Sequence, residues 1–199
     1  MVSISQTSGV ETEEAKAEPD EIALVRYGLV PQVARFGVTA ELNEQISRQP
    51  GRGCSVVVES ERGVELGQLL EVVRKGIVAS EASVTGNVVR LATDADQANN
   101  SENRRQAELE FFEWQNRIDE WKLQLQIIDM EWTLDRKNVV LYVLNDQDAE
   151  TTRLALLAAA GGYGVIHVQP VNAEGIEQKS GGGGCGSGGG GCGSGGCGS

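Results

Sequence analysis

Apolar residues in the first half of the chain come in short runs bounded by turn-forming residues, without helical spacing. Ile22, Leu24, Val25, Leu29 and Val30 predict a strand over residues 22–30, closed by Pro31, and Val33–Val38 predicts a second strand after a tight turn. Leu42–Ser47 is weakly patterned, and Pro50-Gly51-Arg52-Gly53 reads as a loop. Val56-Val57-Val58, the polar stretch Glu59–Gly63 and the returning run Val64–Val73 predict a β-hairpin. Residues 74–87 read as a connection, with a short strand at Ile77 and Val78 and a turn at Gly86-Asn87, before a last short strand at Val88–Leu91. This half predicts a small all-β unit, barrel-like or a curled sheet.

The period changes after residue 92. Thr93 followed by Asp96 has the form of a helix N-cap with a carboxylate three residues on. Ala107, Phe111, Trp114, Ile118, Trp121 and Leu125 then alternate at four and three residues, which predicts a helix to about Lys122 with one apolar face. Asn99, Asn100, Ser101 and Asn103 predict frayed first turns. Leu123–Leu134 and Val139–Leu144, separated by the polar turn Asp135-Arg136-Lys137-Asn138, predict a second hairpin. Asp148 opens a helix that Gly161-Gly162 ends, and Tyr163–Val171 is a final strand. The order predicts an α+β architecture: a small antiparallel β unit, then a helix-strand-strand-helix-strand sandwich with its helices on one face of a mostly antiparallel sheet.

Composition trims this to one foldable stretch. Residues 180–199 are only Gly, Ser and Cys, and residues 1–20 are Glu-rich with no long apolar run. The expected organisation is an acidic disordered leader at 1–20, a domain at 21–172 (β-rich over 21–91, α+β over 92–172) and a disordered Gly/Cys-rich tail at 173–199. The net charge of −12 argues against tight, sequence-independent binding to nucleic acid. The first 20 residues show no secretory pattern, and the longest apolar run, Leu154–Ala160, is too short to span a bilayer. A cytoplasmic protein is expected, with Cys54 as a reduced, buried thiol. Given cationic neighbours such as Arg52, Cys54 would instead be a reactive thiol.

Candidate chemistry is sparse. Arg62, Arg74 and Arg90, with Arg52, are either solvated or form a basic patch for RNA or an acidic partner. Gly63 is read as the residue that supplies a positive φ at the hairpin turn. Asp129, Glu131 and Asp135 share parity on one strand face, either as a solvent-facing row or as an acid–base or divalent-ion set. His167 is the only histidine; its alternation with Ile166 and Val168 predicts a solvent-facing side chain. Phe111, Trp114 and Trp121 are core residues by spacing. Trp132 and Tyr142, on strands, are the better base-stacking candidates. Cys185, Cys192 and Cys197, separated by six and four residues, offer thiolates for an iron–sulfur cluster, zinc or copper(I), but are one ligand short of a closed tetrahedral site. No nucleophile elbow or phosphate loop occurs, so no catalytic residue is assigned.

Four ordered stretches carry a family resemblance: Val56–Gly67, Val89–Asp96, Leu125–Asp135 and Lys137–Leu144. Together they resemble the C-terminal domain of the polymerase-suppressor-protein family, in its YaaT-like bacterial branch, over about residues 24–171. Glu150–Ala159 departs from the family's helix there, keeping Arg153 but not its Asp-Phe pair. The Cys-rich segment of the bacterial members has no counterpart; the Gly and Cys tail stands in its place. The chain therefore resembles a shortened, divergent member, and the family's iron–sulfur association has no matching positions. The resemblance implies a non-catalytic cytoplasmic accessory or scaffold subunit with protein partners, in a family whose members regulate RNA processing in a multi-protein complex. Two alternatives stand beside it: a metal- or redox-responsive protein using the tail thiolates, and an RNA-binding module.

Overall fold

A computed structural model describes residues 21–48, 53–74, 84–144, 148–172 and 175–176. The first five strands close a barrel in the order β1 (Glu21–Tyr27), β2 (Gln32–Val38), β5 (Gly86–Leu91), β3 (Ser55–Ser60), β4 (Gly63–Arg74). Its neighbours pair antiparallel except β2 with β5, which are parallel. Val25, Phe36, Val38, Val56 and Val58 fill the interior, with the Phe36 ring edge-on to Tyr27. Cys54 is half-buried against this core, and burial pushes its thiol up, away from the reactive form.

Two local expectations change here. The weakly patterned stretch is a helix, α1 (Ala40–Ser47), whose N-cap Thr39 accepts from the Leu42 amide. Its apolar contribution is only Leu42 and Ile46, which is why periodicity did not reveal it. Gly86-Asn87 is not a turn but the start of β5. A Cβ on Gly86 would lie 1.8 Å from the Glu59 carbonyl oxygen, so glycine is what lets β3 pair there. Ile77 and Val78 lie outside the described residues.

The second half is a sheet in the order β6 (Gln126–Trp132), β7 (Asn138–Leu144), β8 (Val165–Asn172), β9 (Gly175–Ile176), with β7 and β8 parallel and the other pairs antiparallel. α2 (Asp94–Glu120) and α3 (Asp148–Ala160) cover one face. Ala107, Trp114 and Ile118 of α2 and Leu154 and Ala158 of α3 pack there on Ile127, Met130, Leu141 and Val143. The architecture is α+β, as the sequence predicts.

The start of α2 is not frayed. Thr93 and Asp96 form a reciprocal capping box, and Arg90 grips the Asp96 carboxylate through Nη1 and Nη2, at 2.5 and 2.8 Å. Two of the three asparagines that weaken helix propensity make tertiary contacts. Asn99 and the buried Asn103 donate to the Leu134 and Thr133 carbonyls, at 3.2 and 3.0 Å. At the other end of α2, Arg153 donates to the Trp121 carbonyl at 3.3 Å.

Candidate functional site

The face of the sheet away from the helices is closed by the barrel, and the closure is polar. The β3–β4 turn puts Arg62 at the barrel's end, its guanidinium 5.0 Å from the centre of the Tyr27 ring. Gly63 follows with φ +122, and a Cβ there would lie 2.9 Å from Asn138 Nδ2. Glycine therefore serves both the positive φ and the close approach of the hairpin to the β6–β7 turn. The Leu134 amide donates to the Val64 carbonyl at 2.7 Å, and Asn138 Nδ2 to the Arg62 carbonyl at 2.8 Å. That turn also grips α2, because Arg136 donates to Asn103 Oδ1 at 2.6 Å. Barrel, sheet and long helix thus meet at residues 133–138.

Arg62 is the centre of the joint and is only 8% exposed. Its Nε and Nη2 donate to the Glu65 carboxylate, its Nη1 to the Tyr142 hydroxyl at 3.2 Å, and its Nη2 lies 3.6 Å from Glu131. Tyr142 in turn donates to Glu131, which also accepts from the Leu29 amide, and Ser60 donates to Glu65 at 2.7 Å. Leu29 and Val30 pack beside the network on Val140, Tyr142 and Val171.

One guanidinium faces two carboxylates, Glu65 buried and Glu131 half-buried. Burial disfavours the Arg62 charge, but Glu65, Tyr142 and Glu131 more than offset this and hold it protonated. Burial pushes Glu131 up despite its bonds to Tyr142 and Arg62, and pushes Tyr142 up as well. His167 lies on this same face, half-buried, and its buried Nε2 has no partner among the described residues. Burial, then the Arg62 charge, hold its pKa below the ordinary value. A cleft of about 170 Å³ opens beside the joint, where Glu65 and Glu131 meet Asn100, Arg104 and Trp132.

These positions correct several expectations. Arg62 is no surface side chain: the barrel end and two carboxylates enclose it. Arg90 is exposed but engaged by Asp96, which its guanidinium and the Thr93 groups hold well below the usual carboxylate range. Arg74 ends β4, and its side chain lies outside the described residues, as do Arg52 and the tail's Cys185, Cys192 and Cys197. His167 does not face solvent, because the barrel covers the second face of the sheet. Tyr142 is fully buried, so it has no stacking surface, and Trp132 donates its ring N–H to Glu110 at 3.1 Å.

Asp129, Glu131 and Asp135 do not act together. Asp129 is exposed, Glu131 belongs to the joint, and Asp135 accepts from the Thr133 hydroxyl in the turn. A bulge between Ile127 and Asp129 also breaks the parity read from the sequence, sending Ile127 to the helix side with Met130. Among the described residues no three His, Cys, Asp or Glu side chains are placed to hold a metal ion.

Sequence reasoning missed Glu65. Its signal was present: Glu65 shares strand parity with the buried Leu69 and pairs with Val58, so an acid stood on the inward row. Among the described residues no helix is long and apolar enough to cross a membrane.

Residues 86–154 match the PSP1 C-terminal conserved region. Over 92 residues, 46% of this chain, the sequence is 33% identical to the Stage 0 sporulation protein YaaT of Bacillus subtilis (strain 168). That match covers 33% of the relative, so the chain spans about a third of its length. No solved structure matches. The matched segment contains both the Arg90–Thr93–Asp96 cap of α2 and the Glu131–Asn138 side of the joint. On that segment, the chain is similar to the PSP1 C-terminal conserved region and to YaaT.

Proposed function

We propose that this chain is a non-catalytic cytoplasmic accessory protein that presents rigid surfaces to protein partners. The observation that carries this is how its reactive groups are used. Arg62, Glu65, Glu131 and Tyr142 are committed to one another at a structural joint, while α2 turns Leu109 and Phe112 to solvent. A catalytic set needs a group free to meet substrate; a docking module needs exposed, fixed side chains. The family resemblance extends this reading to regulation of RNA processing within a multi-protein complex. YaaT itself carries a sporulation name.

Direct RNA contact through Arg62, Arg74 and Arg90 is the weaker alternative, since carboxylates already occupy two of the three. The metal- or redox-responsive alternative rests on three cysteines within twenty otherwise Gly and Ser residues, as ligands for an iron–sulfur cluster, zinc or copper.

Affinity purification from the native cell under anaerobic conditions, with protein identification and elemental analysis on one sample, separates these readings. A stable protein partner without bound metal is expected. No partner, or metal lost in the Cys185→Ser, Cys192→Ser, Cys197→Ser variant, counts against the accessory role.

A further inference from the structure

α2 carries a stripe that neither the sheet nor the barrel uses. Arg105, Leu109, Phe112 and Asn116 are spaced by four, three and four residues, so they align along one side of the helix. The buried Asn103, Ala107, Trp114 and Ile118 lie on the opposite side. Leu109 is 61% exposed and Phe112 70%. A single exposed apolar residue is ordinary, but these two are one turn apart on a helix whose core-facing side is already complete.

The borders of the stripe are acidic. By the same rotation Glu102, Glu113 and Glu120 flank one side and Glu108 and Asp119 the other. Residues 101–120 hold six carboxylates against three arginines. Two of those arginines are used within the helix: Arg105 pairs with Glu102 at 2.7 Å and Arg117 with Glu113 at 3.0 Å. At Asn116 the stripe enters a groove of about 330 Å³ that Asp119, Leu125 and Gln126 also line.

We propose that this stripe and groove dock an amphipathic helix of a partner protein, with apolar side chains on the contact line and Lys or Arg along its borders. The chemistry selects that occupant. Apolar residues framed by a net excess of carboxylates fit a helix whose own borders are cationic. A second copy of this chain would set acidic borders against acidic borders, and a nucleic acid would bring phosphates to them. The assignment rests on the interaction-protein reading and gives it a place and a partner class.

The test uses the full chain and a fluorescein-labelled synthetic helix of Leu and Lys, with Leu at three- and four-residue spacing. Two comparison peptides carry Glu in place of Lys, or the same Leu and Lys in strict alternation. Fluorescence anisotropy is expected to show binding of the first peptide alone. Leu109→Asp and Phe112→Asp are expected to weaken it about tenfold or more. Both side chains are exposed, so circular dichroism should show an unchanged fold. Each substitution adds a negative charge, so mere attraction to an acidic surface would leave binding equal or tighter; that result overturns the site. Equal binding of the Glu peptide overturns it too, as does a dimer in sedimentation that Phe112→Asp dissociates. The two readings fail separately. Purification without any partner removes both, whereas a native partner held equally by wild type and Phe112→Asp removes this site and leaves the interaction reading standing.

Discussion

The two faces of the four-stranded sheet are covered by opposite chemistry. On one, α2 and α3 lay Trp114, Ile118, Leu154 and Ala158 against Ile127, Leu141 and Val143. On the other, the barrel reaches across with Arg62 and Glu65 to meet Glu131 and Tyr142, beside the half-buried His167. The apolar face is non-directional and tolerates volume-conserving change. The polar face has one arrangement in which its charges are satisfied, so it fixes how the barrel hairpin sits on the sheet. Fixed geometry between the halves is what an accessory protein needs if partners read both.

Removing the cation is expected to break this contrast most severely. Arg62→Met leaves Glu65 and Glu131 without compensation and should cost about 3–5 kcal/mol in urea unfolding. Leu154→Ala on the apolar face should cost about 2–5 kcal/mol, through lost transfer energy and a cavity. Asn103→Ala strips the Thr133 carbonyl and Arg136 of their shared partner and should cost about 1–3 kcal/mol by the same titration.

Glu131→Gln should shift stability by no more than about 1 kcal/mol at neutral pH, because it removes the carboxylate in excess and keeps an acceptor for Tyr142. Its pH dependence has a definite sign. Burial raises the folded-state pKa above 4.5, so Glu131's contribution is complete below pH 4.5 and is lost as pH rises through the raised value. Wild type should therefore lose ground to Glu131→Gln over that rise. His167 acts in the opposite sense and is the smallest effect. Its folded-state pKa is lowered from 6.5, by burial and by Arg62 against Glu65 and Glu61, so its contribution is present above pH 6.5 and lost as pH falls. Thermal melts of His167→Gln below pH 6.5 should show that acid-side loss reduced.

The apolar face was legible in the sequence and the polar face was not, for a physical reason. Helical spacing from Ala107 to Ile118 and strand runs such as Val139–Val143 encode burial locally, and the Thr93–Asp96 cap is complete within four residues. Arg62 meets Tyr142 across 80 residues, and no local period records that. His167 alternates correctly on its strand, yet alternation distinguishes two faces without saying that something covers the second. The bulge before Asp129 shifts parity by one residue and leaves no compositional mark. Thr39 was an available cap signal, but Leu42 and Ile46 alone made too faint a stripe for α1. Of the site, Arg62, Glu131, Tyr142 and His167 were singled out separately; the sequence carried nothing that joined them.

A double-mutant cycle in urea tests the joint most directly, with Arg62→Met, Glu131→Gln and the pair. If one guanidinium neutralises both carboxylates, Arg62→Met should cost about 1 kcal/mol or more less in the Glu131→Gln background than in wild type. Effects that add within about 0.5 kcal/mol would mean Arg62 and Glu131 are not energetically joined, and would contradict the account.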